Sequence, residues 1–306
     1  MSPGAPRAQI VAAYLVVYLV WGSTYLAIRE AIATLPPLGM AGARFVLAGA
    51  ILYIVAVLRG ARQPTRRQWR MSLVIGALLL LGGNGSVVLA ERKLSSGIAA
   101  LLIATEPLSI VLLTWVFPGG TRPSLRTMVG VVCGIAGVVV LVSSRSGFGG
   151  TNIDLVGTGL VVLGGFSWAL GSMLGSGISA AERMPSLMAS ATQMLLGGTL
   201  LLFVSIAIGE PATFHLAAVS SRSVFSFFYL VVLGSLVAFS AYSWLVAIEP
   251  PQRVATYAFV NPAVAVLVGW AYAGEPVGPG TLVAGALITV AVMVIVLQRK
   301  RMPTDS

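Results

Sequence analysis

The sequence predicts an all-α, polytopic membrane protein of ten transmembrane helices, folded as two inverted five-helix repeats. Three observations carry that expectation. Apolar runs of bilayer width follow one another with only short breaks. Lys and Arg gather in alternate breaks. Landmarks of the first half return, in order, in the second.

The ten runs are Gln9–Ile28, Leu38–Leu58, Met71–Ala90, Leu94–Phe117, Met128–Ser144, Leu155–Leu174, Leu187–Ile208, Val224–Ile248, Val254–Tyr272 and Thr281–Leu297. A helix needs about 20 apolar residues to cross the hydrocarbon core. Backbone groups find no water there, so a span is a helix or part of a closed barrel. The runs are continuous rather than alternating, which favours helix. The first run is too long for the core of a cleavable signal. The following Tyr25-Leu26-Ala27-Ile28-Arg29-Glu30 has no small-residue cleavage site, so a retained helix is expected.

Composition agrees. Of 306 residues, 57% are hydrophobic and 9% charged, and the mean hydropathy is +0.95. A soluble domain carries about 25% charged residues. The spans leave no stretch long enough for a separate soluble domain. The single cysteine, Cys133, excludes an intrachain disulfide and a multi-cysteine metal site. Its neighbours Val131, Val132, Gly134 and Ile135 suggest inert burial in a span. The single histidine, His215, falls in a loop with Pro211 and Phe214 and reads as solvated.

The net charge of +10 reads as a topology signal rather than a nucleic-acid footprint. Thirteen basic residues fall on the side shared by both tails, among them Arg7, the cluster Arg59 to Arg70, Arg122, Arg126, Arg183, Arg253 and Arg299-Lys300-Arg301. Five fall on the other side: Arg29, Arg92, Lys93, Arg145 and Arg222. Both termini are therefore expected in the cytoplasm, with the basic clusters facing anionic headgroups.

The duplication takes each landmark in turn. Trp21-Gly22-Ser23-Thr24 in the first span pairs with Ser167-Trp168-Ala169-Leu170-Gly171-Ser172 in the sixth. Met40-Ala41-Gly42-Ala43-Arg44-Phe45 in the second pairs with Met188-Ala189-Ser190-Ala191-Thr192-Gln193 in the seventh. Glu106-Pro107 in the fourth pairs with Asn261-Pro262 in the ninth, and Gly130 with Gly285, both 155 residues apart. Five is odd, so the second copy enters the membrane from the opposite side. Inverted repeats let one site open to each face in turn, which is a transporter device.

Pro107 and Pro262 stand about half-way along their spans, where proline removes a hydrogen bond and bends a helix. A matched pair of such interruptions points to a transport site and to hinges. Asn261 is expected either to face that site or to cap freed carbonyls. Glu106 is the one acidic residue deep in a span, and carboxylates at that depth are costly. Three roles are open to it: binding a substrate ammonium, relaying a proton, or forming a structural ion pair with Arg44, which lies at similar depth. Trp21, Asn84, Trp168, Gln193, Tyr242, Trp244 and Tyr257 complete the expected lining. Trp69, Trp115 and Trp270 read as interfacial belt or packing.

Other chemistries find little support. Gly82-Gly83-Asn84-Gly85-Ser86 is not a phosphate loop, because no Lys-Ser/Thr follows. No catalytic constellation, metal site or cofactor is expected. A membrane-embedded acyl or lipid transferase needs a nucleophile, base or metal cluster, and a channel needs rings of charged or carbonyl groups.

Trp21-Gly22-Ser23-Thr24, Arg44 early in the second span, Glu106-Pro107, Asn261-Pro262 and Gly274-Glu275-Pro276 together resemble the EamA family of the drug/metabolite transporter superfamily. The resemblance runs over about residues 9–298. It implies two five-helix repeats, at 9–144 and 155–298, around a central cavity, with the fifth and tenth helices peripheral. It also implies a secondary transporter of the bacterial inner membrane that exports small amphipathic metabolites. Amino acids are the first expectation and drugs or other metabolites the alternative. The first copy departs from the family pattern: Phe117-Pro118-Gly119-Gly120-Thr121-Arg122 lacks a counterpart to Glu275. The expected partners are a small-molecule substrate and the lipid bilayer, without nucleic acid, and a monomer suffices.

Overall fold

The computed structural model describes residues 6–116, 122–143, 154–179, 182–249, 254 and 256–296. Arg145, Arg253 and Arg299-Lys300-Arg301 of the charge pattern, and Phe117 to Thr121 of the first-copy turn, lie outside the described residues. Among the described residues the chain is helical, without strands.

Ten helical passages follow in chain order. The first is Arg7–Ala31, the second Pro37–Leu58. The third joins Arg66–Gly76, a π-helical stretch Ala77–Asn84 and Gly85–Ala90. The fourth is broken into Ser96–Ile103 and Glu106–Val116. The fifth is Leu125–Ser143, the sixth Leu155–Ser176, the seventh Ser186–Ala207. The eighth joins Ser221–Tyr229, a second π-helical stretch Leu230–Val237 and Ala238–Ile248. The ninth is Tyr257–Ala273 and the tenth Pro279–Val296. Seven of these are long and apolar enough to cross a membrane, and the apolar parts of the fifth, ninth and tenth are shorter. The chain is a multi-pass membrane protein.

Local chemistry sets the helix starts. Pro37 occupies the first turn of the second span, where its missing N–H costs nothing. A capping box, Thr65 with Gln68, opens the third span five residues before its apolar run begins. Asp154 caps the sixth by accepting from the Gly157 N–H at 2.7 Å. That bond is the main reason its carboxyl sits below the usual range, with Lys93 adding to it.

The packing follows a two-fold pattern. The second span lies against the seventh and the fifth against the tenth. The first packs on the eighth and ninth, as the sixth packs on the third and fourth. Exchanging each of these spans for its mate five places on returns these pairings. Lipid gives helices no hydrophobic drive to associate, so close backbone approach does more of the work. At the crossing of spans two and seven, a Cβ on Gly198 would lie 3.0 Å from the Gly42 carbonyl oxygen, so only glycine permits it. Spans five and ten turn Val129, Val132, Ile135, Val139, Leu282, Val283 and Val290 outward. Cys133, expected to be buried, is only partly so because it shares this outer helix.

Candidate functional site

Inside the bundle lies a cavity of about 140 Å³. Its wall comes from spans one to four and six to nine, with none from the fifth or tenth. An engineered cavity of about 150 Å³ holds one benzene-sized molecule, so this space suits a small solute.

The two π-helical stretches, in the mate spans three and eight, face this cavity. Leu80, Gly83 and Asn84 line it from one, Gly234 and Ser235 from the other. A π-helix widens the turn and alters the carbonyl pattern, and such bulges are frequent at functional sites. Here each receives a side chain from a central helix of the other half. The Trp21 indole N–H donates to the Gly234 carbonyl at 3.1 Å, and the Ser167 hydroxyl donates to the Leu78 carbonyl at 2.8 Å.

Two opposite charges line the same cavity without meeting. Arg44, 5% exposed, donates from Nε to the Ser235 hydroxyl at 2.9 Å, and its guanidinium lies 4.7 Å from the centre of the Phe45 ring. Among the described residues Glu106 has no ion pair and no hydrogen bond. The expected Arg44–Glu106 ion pair is therefore absent: Ser235 and Phe45 hold the guanidinium away from the carboxylate. Glu106 instead opens the helix Glu106–Val116, where free backbone N–H groups favour negative charge.

The amides are equally free. Asn84 and Asn261 both line the cavity, and the side-chain oxygen of each is buried without a partner. An unsatisfied buried acceptor costs about 1–3 kcal/mol, so each is poised for a donor. Among the described residues the Asn261 side-chain N–H groups donate to no carbonyl freed by Pro262, so the capping role is not seen.

Six of the nine expected lining residues share this wall: Trp21, Asn84, Glu106, Trp168, Tyr257 and Asn261. Three do not. Tyr242 stands behind it, its ring centre 5.0 Å from Trp21 and 5.8 Å from Tyr257, and so supports the aromatic wall rather than forming it. Trp244 packs with it in the cluster around Leu245. Gln193 lines a different cavity of about 550 Å³, between spans three, six and seven, beside Gln68, Ser72 and Glu182. Pro107 and Pro262 both lie beside the central space, although only Pro262 touches it. Sequence reasoning missed Thr24, Tyr25 and Ile28. They stand three, four and seven residues after Trp21, on one helical face, and that period could have revealed them.

The two ends of the bundle differ. At one end, Glu275 pairs with Arg29 and accepts from Ser96 N at 2.9 Å, Ser96 Oγ at 2.8 Å and Gly97 N at 3.1 Å. Gly274, at φ +62°, provides the left-handed turn that brings Glu275 onto the start of the fourth span. Glu210 does the same for the second span, accepting from Leu38 N, Gly39 N and Ser205 Oγ. Arg222 pairs with Glu30 at 2.6 Å. This Arg29 end is laced by layers of polar ties. The Arg67 end holds the larger cavity, rimmed by Arg67 and Glu182, which pair at 2.6 Å. His215 is exposed, as expected of a loop residue.

A helical bundle wrapped around a central, partly charged cavity, tied by polar contacts at one end and hollowed at the other, is the architecture of a membrane carrier. Comparison with known proteins identifies which. The chain belongs to the EamA-like transporter family, which it matches over residues 9–143 and 155–297. It is 37% identical over 292 residues to the Uncharacterized inner membrane transporter YedA of Escherichia coli (strain K12), covering 95% of this chain and 92% of that one. It is 27% identical to the Uncharacterized transporter YvbV of Bacillus subtilis (strain 168), covering 95% and 91%. It is 24% identical to an Escherichia coli protein named "Probable amino-acid metabolite efflux pump", covering 82% of each. The fold is shared with solved structures, among them a crystal structure with a TM-score of 0.65 over 95% of this chain and 99% of that one at 21% identity. The protein is thus a transporter of small molecules and not an enzyme.

Proposed function

We propose that this transporter exports small zwitterionic metabolites, amino acids foremost, from the cytoplasm by alternating access. One observation carries the reading: Glu106 and Arg44 line one small cavity and do not neutralise each other. A zwitterion completes both, with its ammonium toward Glu106 and its carboxylate toward Arg44. The free oxygens of Asn84 and Asn261 accept from the ammonium, and Trp21, Trp168 and Tyr257 enclose the variable group. Apolar contacts discriminate by only about 1–3 kcal/mol per methylene, so selectivity among side chains is broad. The efflux pump's name and the inner-membrane name of YedA support this substrate and location. A drug-sized solute is the weaker alternative, because drug pockets span about 300–1,000 Å³.

In this reading residues 9–144 and 155–298 are the two inverted repeats, and they rock against each other about Pro107 as the main hinge and Pro262 as the lesser one. Both termini and the Arg67 end lie in the cytoplasm, as the charge pattern indicates. The Arg29 end is external and closed, while the larger cavity is the vestibule through which solute enters. The test is counterflow in proteoliposomes preloaded with a panel of amino acids. Saturable exchange of neutral amino acids, competed by neither their N-acetyl nor their amide derivatives, supports it. Equal competition by those derivatives contradicts it.

A further inference from the structure

Glu91 has no part in the site described above. It follows the last residue of the third span and is 3% exposed. Both carboxylate oxygens are buried, and among the described residues they have no hydrogen-bond partner and form no ion pair. That sets it apart from Glu210 and Glu275 at the same end, whose carboxylates are saturated with backbone and hydroxyl donors. An ionised carboxylate with neither water nor donors is a costly species.

The charged and titratable groups around it are few. The first span presents Tyr25 and Arg29, the second Arg44, and the turn before the tenth presents Glu275. Arg29 is already paired with Glu275, and Arg44 is bonded to Ser235. On the sixth span, Asp154 is engaged with Lys93 and Gly157. Burial first, and the Glu275 charge second, push the Glu91 carboxyl well above the usual range, against the pull of Arg29 and Arg44.

We infer that Glu91 is a proton-binding site linked to the external gate, so that closing the Arg29 end takes up one proton from the outside and opening it returns that proton. The inference rests on the alternating-access reading, since it needs the Arg29 end to open. In the open state water reaches Glu91, and the carboxyl ionises in its ordinary range. On closure the carboxylate accepts a proton from external water and is buried neutral, which leaves Arg29 to Glu275 alone. The closed state binds more protons, so it is favoured at low external pH. That preference fades as pH rises through the raised value of the closed state. Tyr25, on the cavity wall, lies within electrostatic reach of both Glu91 and Glu106.

The test uses the full chain with Cys133→Ala and a reporter, Ala258→Cys, on the cavity wall. Right-side-out vesicles are treated with a membrane-impermeant thiol reagent at external pH from about 5 to 8. Each rate is divided by that of the same protein carrying Glu91→Gln, which cancels the titration of the thiol itself. The ratio should climb with pH by up to about tenfold per unit, the limit for one linked proton. Glu91→Met serves in the same way should the Gln variant fail to assemble. A ratio flat across the range overturns the proton site. Arg29→Ala, which breaks the tie to Glu275, separates the two claims. Labelling that appears in it, while the ratio stays flat, overturns the proton site and leaves alternating access standing. Absence of external labelling even in that variant overturns the gate, and the alternating-access reading with it.

Discussion

The fourth and ninth spans carry the same device in two forms. Glu106-Pro107 and Asn261-Pro262 stand 155 residues apart, each a polar residue before a proline. In the fourth span the helix stops at Ile103 and restarts at Glu106, with Pro107 in the new first turn. There the missing N–H is harmless, and the Thr105 hydroxyl donates back to the Leu102 carbonyl at 2.7 Å. In the ninth span Pro262 lies inside an unbroken helix, Tyr257–Ala273. The difference follows the charge. A carboxylate gains from a helix N-terminus, whereas a neutral amide has no such gain and sits within a turn. The fourth span thus presents a charge at a helix start and the ninth an amide on a helix wall, so the two matching positions differ in charge.

Breaking this asymmetry at the charge should have the largest effect. Glu106→Gln keeps the shape and removes the anion. A hydrogen bond to a charged group is worth about 1.5–3 kcal/mol, so transport should fall about tenfold to a hundredfold while the protein still assembles. Counterflow and size-exclusion profiles on the same preparation check both. Unchanged flux would demote Glu106 to a structural role.

The amide should matter less. Asn261→Ala removes one neutral partner, worth about 1 kcal/mol, and should raise KM about fivefold with little change in maximal rate. An effect equal to that of Glu106→Gln would erase the proposed asymmetry.

The prolines sharpen the comparison further. Pro107→Ala allows the two halves of the fourth span to fuse and should slow turnover about threefold or more without changing binding. Pro262→Ala only restores one hydrogen bond in a helix that is already continuous. It should raise thermal stability slightly, by about 1 kcal/mol, and leave turnover within about twofold. Equal effects of the two would show that the two hinges bend alike. Smallest of all is Gln193→Ala, expected to change flux less than about twofold. Gln193 is the counterpart of Phe45 by sequence, but only Phe45 faces the central cavity.

Much of this was legible in the sequence because membrane helices write their length and orientation plainly. Each apolar run became a helical passage, and the prolines marked the spans that differ. The pairing of Trp21 with Trp168 led to two residues that do share the wall. Other features are not local. Tyr242 and Tyr257 lie on different spans, and only the packing of the eighth span against the first decides which ring faces the solute. The π-helical stretches have no proline to announce them. They arise where Gly82-Gly83 and Gly234 meet side chains from the opposite repeat. Glu91, Glu210 and Glu275 follow apolar runs and read as loop residues. Their burial depends on which helix ends the topology brings beneath them. The expected Arg44–Glu106 pair rested on similar depth alone, which fixes height in the membrane but not the direction around each helix.

The central claim is that Glu106 holds the ammonium of a zwitterion. Direct binding separates it from any general role in folding. One neutral amino acid that the protein exchanges, and the N-acetyl derivative of that amino acid, are titrated against the unaltered protein and against Glu106→Gln. The account predicts that the amino acid loses about tenfold or more in affinity in the variant. The N-acetyl derivative, which has no ammonium to lose, should bind both proteins equally weakly. An equal loss for both ligands, or none for the amino acid, would contradict it.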